Sequence, residues 1–201
     1  MQRVSSFWAR WWRTVVLFLV AVAVVVGDQF SKDWIRANLA VGESLPETGF
    51  FCLVHLQNTG AAWGMLQDHT ELLTVASFIG VAAVMIYNFY ICRRYPVLEN
   101  GISKAAIGAV LGGTVGNLID RLQLGYVTDF LSVGSFAKFN VADASITTGI
   151  SIFAGFLIYL MVKEKYALAE EAPADRSGDN LRSAERGESD THSQKCQPYR
   201  Q

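Results

Sequence analysis

Four stretches of this chain carry no charged side chain: residues 14–27, 72–92, 105–119 and 144–162. Roughly 20 mostly apolar residues are needed to cross a bilayer as a helix. In lipid only helices and closed barrels keep every backbone polar group paired. The second and fourth stretches reach that length unaided. The first reaches it when Trp11 and Trp12 are counted at one interface and Phe30 at the other. The third is glycine-rich and the least apolar. The pattern predicts an α-helical membrane protein with four transmembrane helices, over about residues 11–30, 72–92, 103–122 and 142–162.

Charge sets the orientation. Arg3, Arg10 and Arg13 with Trp8, Trp11 and Trp12 make a basic, aromatic start. Arg93, Arg94 and Lys104 bracket the second connection, and Lys163 and Lys165 follow the fourth stretch. Basic residues mark the cytoplasmic side, so both termini are expected there. No small-x-small cleavage site follows the first stretch, which runs into Gly27-Asp28-Gln29-Phe30, so it reads as a retained helix. Residues 33–71 and 122–140 are then extracytoplasmic. The first of these carries Glu43, Glu47, Asp68 and Glu71 against Arg36, and its run Phe50–Gln57 is strand-like, predicting a small β-cradle. Residues 1–165 form the membrane domain. Residues 166–201 are polar and read as a disordered cytoplasmic tail.

The composition also excludes. A net charge of −1 gives no reason to expect a nucleic-acid partner. Cys52, Cys92 and Cys196 fall outside, at the inner surface and in the tail, so they form no disulfide framework. None has metal-ligand spacing, so no zinc site is expected. No G-x-S-x-G and no Ser-Lys pair supplies a serine nucleophile.

What remains is acidic. Asp120, Asp129 and Asp143 stand at the ends of apolar helices, although a carboxylate costs roughly 2.5–3.5 kcal/mol at the centre of a membrane helix. They predict a polar site at the membrane surface. Two carboxylates held close share one proton and work as an acid–base pair. Plainer readings exist for each residue. Asp143 follows Asn140 by three, a helix-start pattern in which the acid favours the helix N-terminus; that reading is compatible with catalysis. Asp129, in Val127-Thr128-Asp129-Phe130, could be an exposed loop acid, although its apolar flanks argue otherwise. Asn117, Asp120 and Arg121 lie at i, i+3 and i+4 and read as a brace in which Arg121 neutralises Asp120. Asp28 and Lys32 read as a solvated interfacial pair. Asn58-Thr59-Gly60 is a turn, or a means of aiming backbone donors at an extended peptide. His55 and His69 read as structural. Gly108, Gly112 and Gly116, four apart, allow a second helix to approach closely.

Taken together the motifs are more specific than any one of them. Asp28-x-x-Ser31-Lys32, Gln57-Asn58-Thr59-Gly60-Ala61-Ala62, Gly112-Gly113-x-x-Gly116-Asn117-x-x-Asp120-Arg121, Val127-x-Asp129-Phe130 and Phe139-Asn140-x-Ala142-Asp143 occur in this order between four apolar spans. The set resembles bacterial lipoprotein signal peptidase (signal peptidase II) over residues 14–163. Trp63 stands where that family often has Phe, Thr128 where Val is usual, and Ala144-Ser145 where Ser-Ala is common. The resemblance implies an aspartic endopeptidase of the bacterial cytoplasmic (inner) membrane, with its active site toward the outer face. It implies as substrate a diacylglyceryl-modified prolipoprotein cut before the lipidated cysteine, and sensitivity to cyclic peptide inhibitors of the globomycin type. It maps the catalytic pair onto Asp129 and Asp143, and substrate-binding or supporting residues onto Asp28, Lys32, Asn58, Gly60, Asn117, Asp120, Arg121 and Asn140. Membrane lipids are the remaining partners it implies, and it implies no metal or organic cofactor.

The physics of such a pair is consistent with these residues. Two unit charges about 4 Å apart repel by about 4 kcal/mol at an effective dielectric of 20. That is enough to hold one proton on the pair, and the helix start at Asn140 favours the charge on Asp143. The rival class is a small transporter or proton channel, since intramembrane acids also mark ion pathways. It calls for inverted repeats and polar midplane positions. The chain has no internal repeat, and its acids gather at one side. A non-enzymatic assembly factor would leave the glycine and paired-acid pattern without a purpose.

Overall fold

The computed structural model describes residues 2–61, 65–91, 94–134 and 137–171, with side chains from Trp11 to Leu168 within those ranges. The expectations for Trp63, Cys92, Arg93, Cys196 and the tail from 172 onward, and for the side chains of Arg3, Trp8 and Arg10, lie outside the described residues. The elements in order are α1 (Gln2–Asn38), β1 (Ser44–Leu45), β2 (Phe51–Asn58), α2 (Thr70–Ile86), α3 (Gly101–Leu124), β3 (Val127–Val133), β4 (Ala137–Phe139) and α4 (Val141–Glu171). With α2 continued by a π-helical turn over Tyr87–Ile91, each of the four helices is long and apolar enough to cross a membrane. Residues up to Phe156 form one compact unit; of the second, the described residues 157–171 continue the helix.

Two boundaries differ from the sequence expectation. α1 does not stop at Lys32 but continues for another turn and a half to Asn38. Its last turns stay apolar on one side, where Ile35 and Leu39 pack with Phe130 of β3 and bury an otherwise exposed face. α4 runs past Lys165 to Glu171, taking six residues from the expected tail. Ala167 and Leu168 are compatible with helix, and nothing in Tyr166–Glu171 breaks one.

α3 is the central helix. In its most apolar stretch 61% of residues are buried, against 17% for α1 and 6% for both α2 and α4. Glycine makes this possible. In lipid, helices associate through close packing rather than through the hydrophobic effect. A methyl group at Gly112 would come within 2.6 Å of the Ala21 carbonyl oxygen, and one at Gly116 within 2.6 Å of Asp28 Oδ2. Gly108 meets Leu17 in the same way, so all three glycines of the spacing-four row face α1. Gly113 instead faces Ala142 and Ile146 of α4, and Gly149 of α4 faces Ala106. Leu17, Ala21, Ile107 and Leu111 form the buried apolar centre of the α1–α3 seam.

The cradle is larger than the sequence indicated. Its four strands run antiparallel in the order β1-β2-β3-β4. The second half comes from Val127–Phe139, which had read only as a short outer connection. β3 pairs with β2 so that Leu56 lies opposite Asp129 and Gln57 opposite Thr128. β4 pairs only with Leu131–Val133, leaving the Thr128 end of β3 without a strand on that side. His55 is buried between α1 and the sheet, with Nδ1 2.9 Å from the Leu39 carbonyl oxygen, a structural placement.

Candidate active site

The site grows from one face of α1. Asp28, Lys32 and Arg36 are four residues apart and therefore stacked along the helix. Asp28 and Lys32 are both fully buried and 2.8 Å apart, so this pair is not the solvated surface pair expected from sequence. A buried ion pair survives only if its remaining donors and acceptors are also satisfied. They are. Lys32 Nζ lies 2.8 Å from Asp28 Oδ2, 3.0 Å from Asn117 Oδ1 and 3.2 Å from Asp120 Oδ2, which uses all three of its protons. Asp28 Oδ1 accepts from the backbone N–H of Ala142, tying α1 to the first turn of α4 at 2.8 Å. Gln29 Nε2 adds contacts to Asp28 Oδ2 at 3.2 Å, Asp120 Oδ1 at 3.2 Å and the Gly116 carbonyl at 3.1 Å.

Arg121 is not the partner of Asp120. Asp120 is held by Lys32 and, at 3.6 Å, by Arg36. Adjacent residues on a helix point about 100° apart, given 3.6 residues per turn, so Arg121 turns toward α2 and donates to Ser77 Oγ at 3.3 Å. Of the surrounding charges, Asp143 acts on it most strongly, then Asp129, then Asp120. The guanidinium belongs to the field of the acid pair.

Three asparagines then aim at the two acids. Asn140 precedes α4 and caps it, its Oδ1 accepting from the Asp143 N–H at 2.9 Å, as the helix-start pattern predicted. Its Nδ2 donates to Asp129 Oδ1 at 2.9 Å. Asn58, at the end of β2, accepts from the Gly60 N–H at 2.9 Å and donates through Nδ2 to Asp129 Oδ2 at 2.9 Å. The turn reading of Asn58-Thr59-Gly60 holds, and the side chain does a second job. Gly60 is needed because a methyl group there would sit 2.7 Å from the Met65 carbonyl oxygen. Asn117 Nδ2 donates to Asp143 Oδ1 at 2.7 Å. In each case the amide oxygen is engaged by a donor elsewhere, which fixes the NH₂ group on the acid side.

Asp129 is 2% exposed, on a strand and not in a loop; Asp143 is half-buried in the first turn of α4. Burial, and then the charge of Asp143, raise the Asp129 pKa from 3.8 to about 7. Hydrogen bonds from Asn58 and Asn140 and the charge of Lys32 work against that rise. The charge count fits. Leaving the exposed Asp33 aside, Asp28, Asp120, Asp129 and Asp143 face Lys32, Arg36 and Arg121. One proton on the acid pair makes this cluster neutral, which is the state a low-dielectric site favours.

All ten residues named from sequence gather here. Gln29, Arg36, Ser77 and Thr128 were missed. Arg36 continues the spacing of Asp28 and Lys32, a signal that depended on extending α1 past residue 32. Among the described residues no group of His, Cys, Asp and Glu could hold a metal ion.

Four helices long and apolar enough to cross a membrane, with two interacting acids at one end of them, suit an integral membrane hydrolase of the aspartic kind, the class of the family to which the chain belongs. The chain belongs to the signal peptidase II family, whose model matches residues 20–160. It is 49% identical over 138 residues to the lipoprotein signal peptidase of Dehalococcoides mccartyi, covering 69% of this chain and 86% of that one. It is 34% identical over 155 residues to that of Lactobacillus johnsonii, covering 76% and 97%. A solved bacterial membrane enzyme superposes with a TM-score of 0.64 at 29% identity, covering 74% of this chain and 88% of that one.

Proposed function

We propose that this protein removes signal peptides from prolipoproteins by aspartic proteolysis, with Asp129 and Asp143 as its catalytic pair. The observation that carries the assignment is the donor arrangement. Both oxygens of Asp129 and one of Asp143 receive asparagine NH₂ groups whose orientation is fixed from behind. Such pre-set geometry is what a proton-transferring pair requires. Asp143 takes a proton from water as the water oxygen attacks the scissile carbonyl. Protonated Asp129 donates to the carbonyl oxygen. Collapse of the tetrahedral intermediate breaks the C–N bond: the proton held by Asp143 goes to the leaving amine, and one hydroxyl proton of the intermediate returns to Asp129 as the carbonyl re-forms. The pair titrates as a unit.

The substrate is a prolipoprotein whose cysteine carries a diacylglyceryl group, cut just before that cysteine. Its signal helix and acyl chains lie against the apolar helix faces, in contact with membrane lipids. Cyclic peptides of the globomycin type occupy the same site. The protein sits in the bacterial inner membrane with both termini cytoplasmic and the acid pair toward the outer face. Arg13, Arg94, Lys163 and Lys165 support that orientation. Residues beyond 171 form a cytoplasmic tail that catalysis does not need.

The test is turnover of a lipidated prolipoprotein by Asp129→Asn, Asp143→Asn and the double variant. Each single change should abolish most activity, and the double should be scarcely worse, since residues acting as a unit are non-additive. A single variant with near-normal turnover removes that aspartate from the chemistry. Two active singles return the transporter reading to consideration.

A further inference from the structure

We propose that Arg36 and Thr128 form a clamp that sets the angle at which β3 presents Asp129, a positioning role beyond the acid pair itself. The inference rests on Asp129 being catalytic. Thr128 is the residue before Asp129 and is fully buried. Successive strand residues point to opposite faces, so a grip on the Thr128 side chain fixes the roll of the strand and with it the direction of the Asp129 carboxylate.

The sheet alone does not fix that roll. β2 is irregular between Leu53 and Leu56, immediately beside the residue opposite Asp129. β4 ends its pairing at Leu131 and leaves this end of β3 without a neighbour on its outer edge. Side chains take the place of the missing strand. The Thr128 N–H donates to Asp120 Oδ2 at 2.9 Å, and its carbonyl accepts from Asn140 Nδ2 at 3.4 Å. Those two bonds hold the backbone at one point. The third, from Arg36 Nη1 to Thr128 Oγ1 at 2.8 Å, acts off the strand axis and so resists rotation. Arg36 is itself anchored from two sides, by Asp120 at 3.6 Å and by Asp33 at 2.7 Å. The α1 extension past Lys32 therefore has a purpose at the site: it carries Arg36 to the strand. A valine at 128 would have no oxygen for Arg36 to bind, so the clamp depends on the threonine hydroxyl.

Thr128→Val tests it with least disturbance. The change keeps the side-chain shape and both backbone bonds, and Arg36 retains its carboxylates and some access to water. The full chain in detergent, acting on a lipidated prolipoprotein, should show kcat down about tenfold, as expected when a reacting group is slightly misaimed. KM and the melting temperature should be close to wild type. Thr128→Ser, which keeps the hydroxyl, should restore most of kcat. Arg36→Met combined with Thr128→Val should be no slower than Arg36→Met alone. Wild-type kcat in Thr128→Val overturns the clamp, as does equal loss in Thr128→Val and Thr128→Ser, which would assign the effect to packing. Asp129→Asn is run alongside. If it retains turnover, the catalytic assignment fails; if it is inactive while Thr128→Val is normal, only the clamp fails.

Discussion

Asn117 donates to Asp143 Oδ1 at 2.7 Å because its amide oxygen is taken, at 3.0 Å, by the ammonium of Lys32. A fully buried lysine on α1, helped by Asn140 Nδ2 at 3.2 Å from the same oxygen, thus decides which end of an α3 amide meets an acid on α4. The consequence is that Lys32 is both a structural charge and a setter of hydrogen-bond direction.

Lys32→Met should therefore do two kinds of damage. Asp28 and Asp120 lose a buried partner, a loss worth about 3–5 kcal/mol when one member of a buried pair is removed. Asn117 also loses the closer of its two oxygen donors, leaving Asn140 Nδ2, at 3.2 Å, to hold the amide oxygen away from Asp143. We expect a lower melting temperature in detergent and loss of turnover. Adding Asp28→Asn should recover part of the stability, since one of the two stranded charges is gone, but not the activity. If the double variant is less stable than Lys32→Met, the ion-pair account is wrong.

The pH dependence follows from Asp129, whose pKa lies at about 7. Its acid form is the proton donor, so turnover should decline as pH rises past that value. Asn58→Ala removes a donor that favours the charged form, so the pKa rises and the descending limb moves to higher pH. A limb that moves to lower pH would contradict the assigned donor role. The stability sign is fixed by the same shift. The folded site holds a proton that the unfolded chain releases, so its contribution is complete below the ordinary value of 3.8. It is then lost as pH climbs toward 7. Melting curves across that window check this.

Among the described residues Arg121 has no carboxylate within ion-pair distance, so its removal breaks none there. Arg121→Ala should cost turnover about tenfold or more, in the range found when a positive group stabilising developing charge is lost, with little change in melting temperature. Arg121→Lys should keep part of the rate. A large drop in stability with modest loss of rate would instead restore the brace reading.

For orientation, an impermeant thiol reagent on intact cells should reach Cys52, which is half-exposed on β2, and should miss Cys196. Labelling of Cys196 would invert the proposed topology.

The spans, the acids and the asparagines were legible because lipid leaves a chain few choices: a charged or amide side chain beside an uncharged block needs a reason. The partners were less legible. Asn117, Asp120 and Arg121 at i, i+3 and i+4 suggested one face and a brace, yet Asp120 and Arg121 are neighbours on a helix and do not face each other. The charged partners of Asp120 are on α1, more than eighty residues away, and become visible only when the glycine row brings α1 against α3. Val127–Val133 was hidden as a strand because its burial pattern lacks the alternation of a half-exposed one.

The Asp28–Lys32 pair also bears on how the protein is made. α1 is synthesised first and meets the bilayer before Asn117, Asp120 or Ala142 exist. A lone acid or a lone lysine in that segment would resist insertion. Four residues apart on one helix and 2.8 Å from each other, the two cancel within a single segment. The Asp28–Lys32 step of α1 can thus enter the lipid without net charge and wait there, its spare donor and acceptors in place, until α3 and α4 arrive to use them.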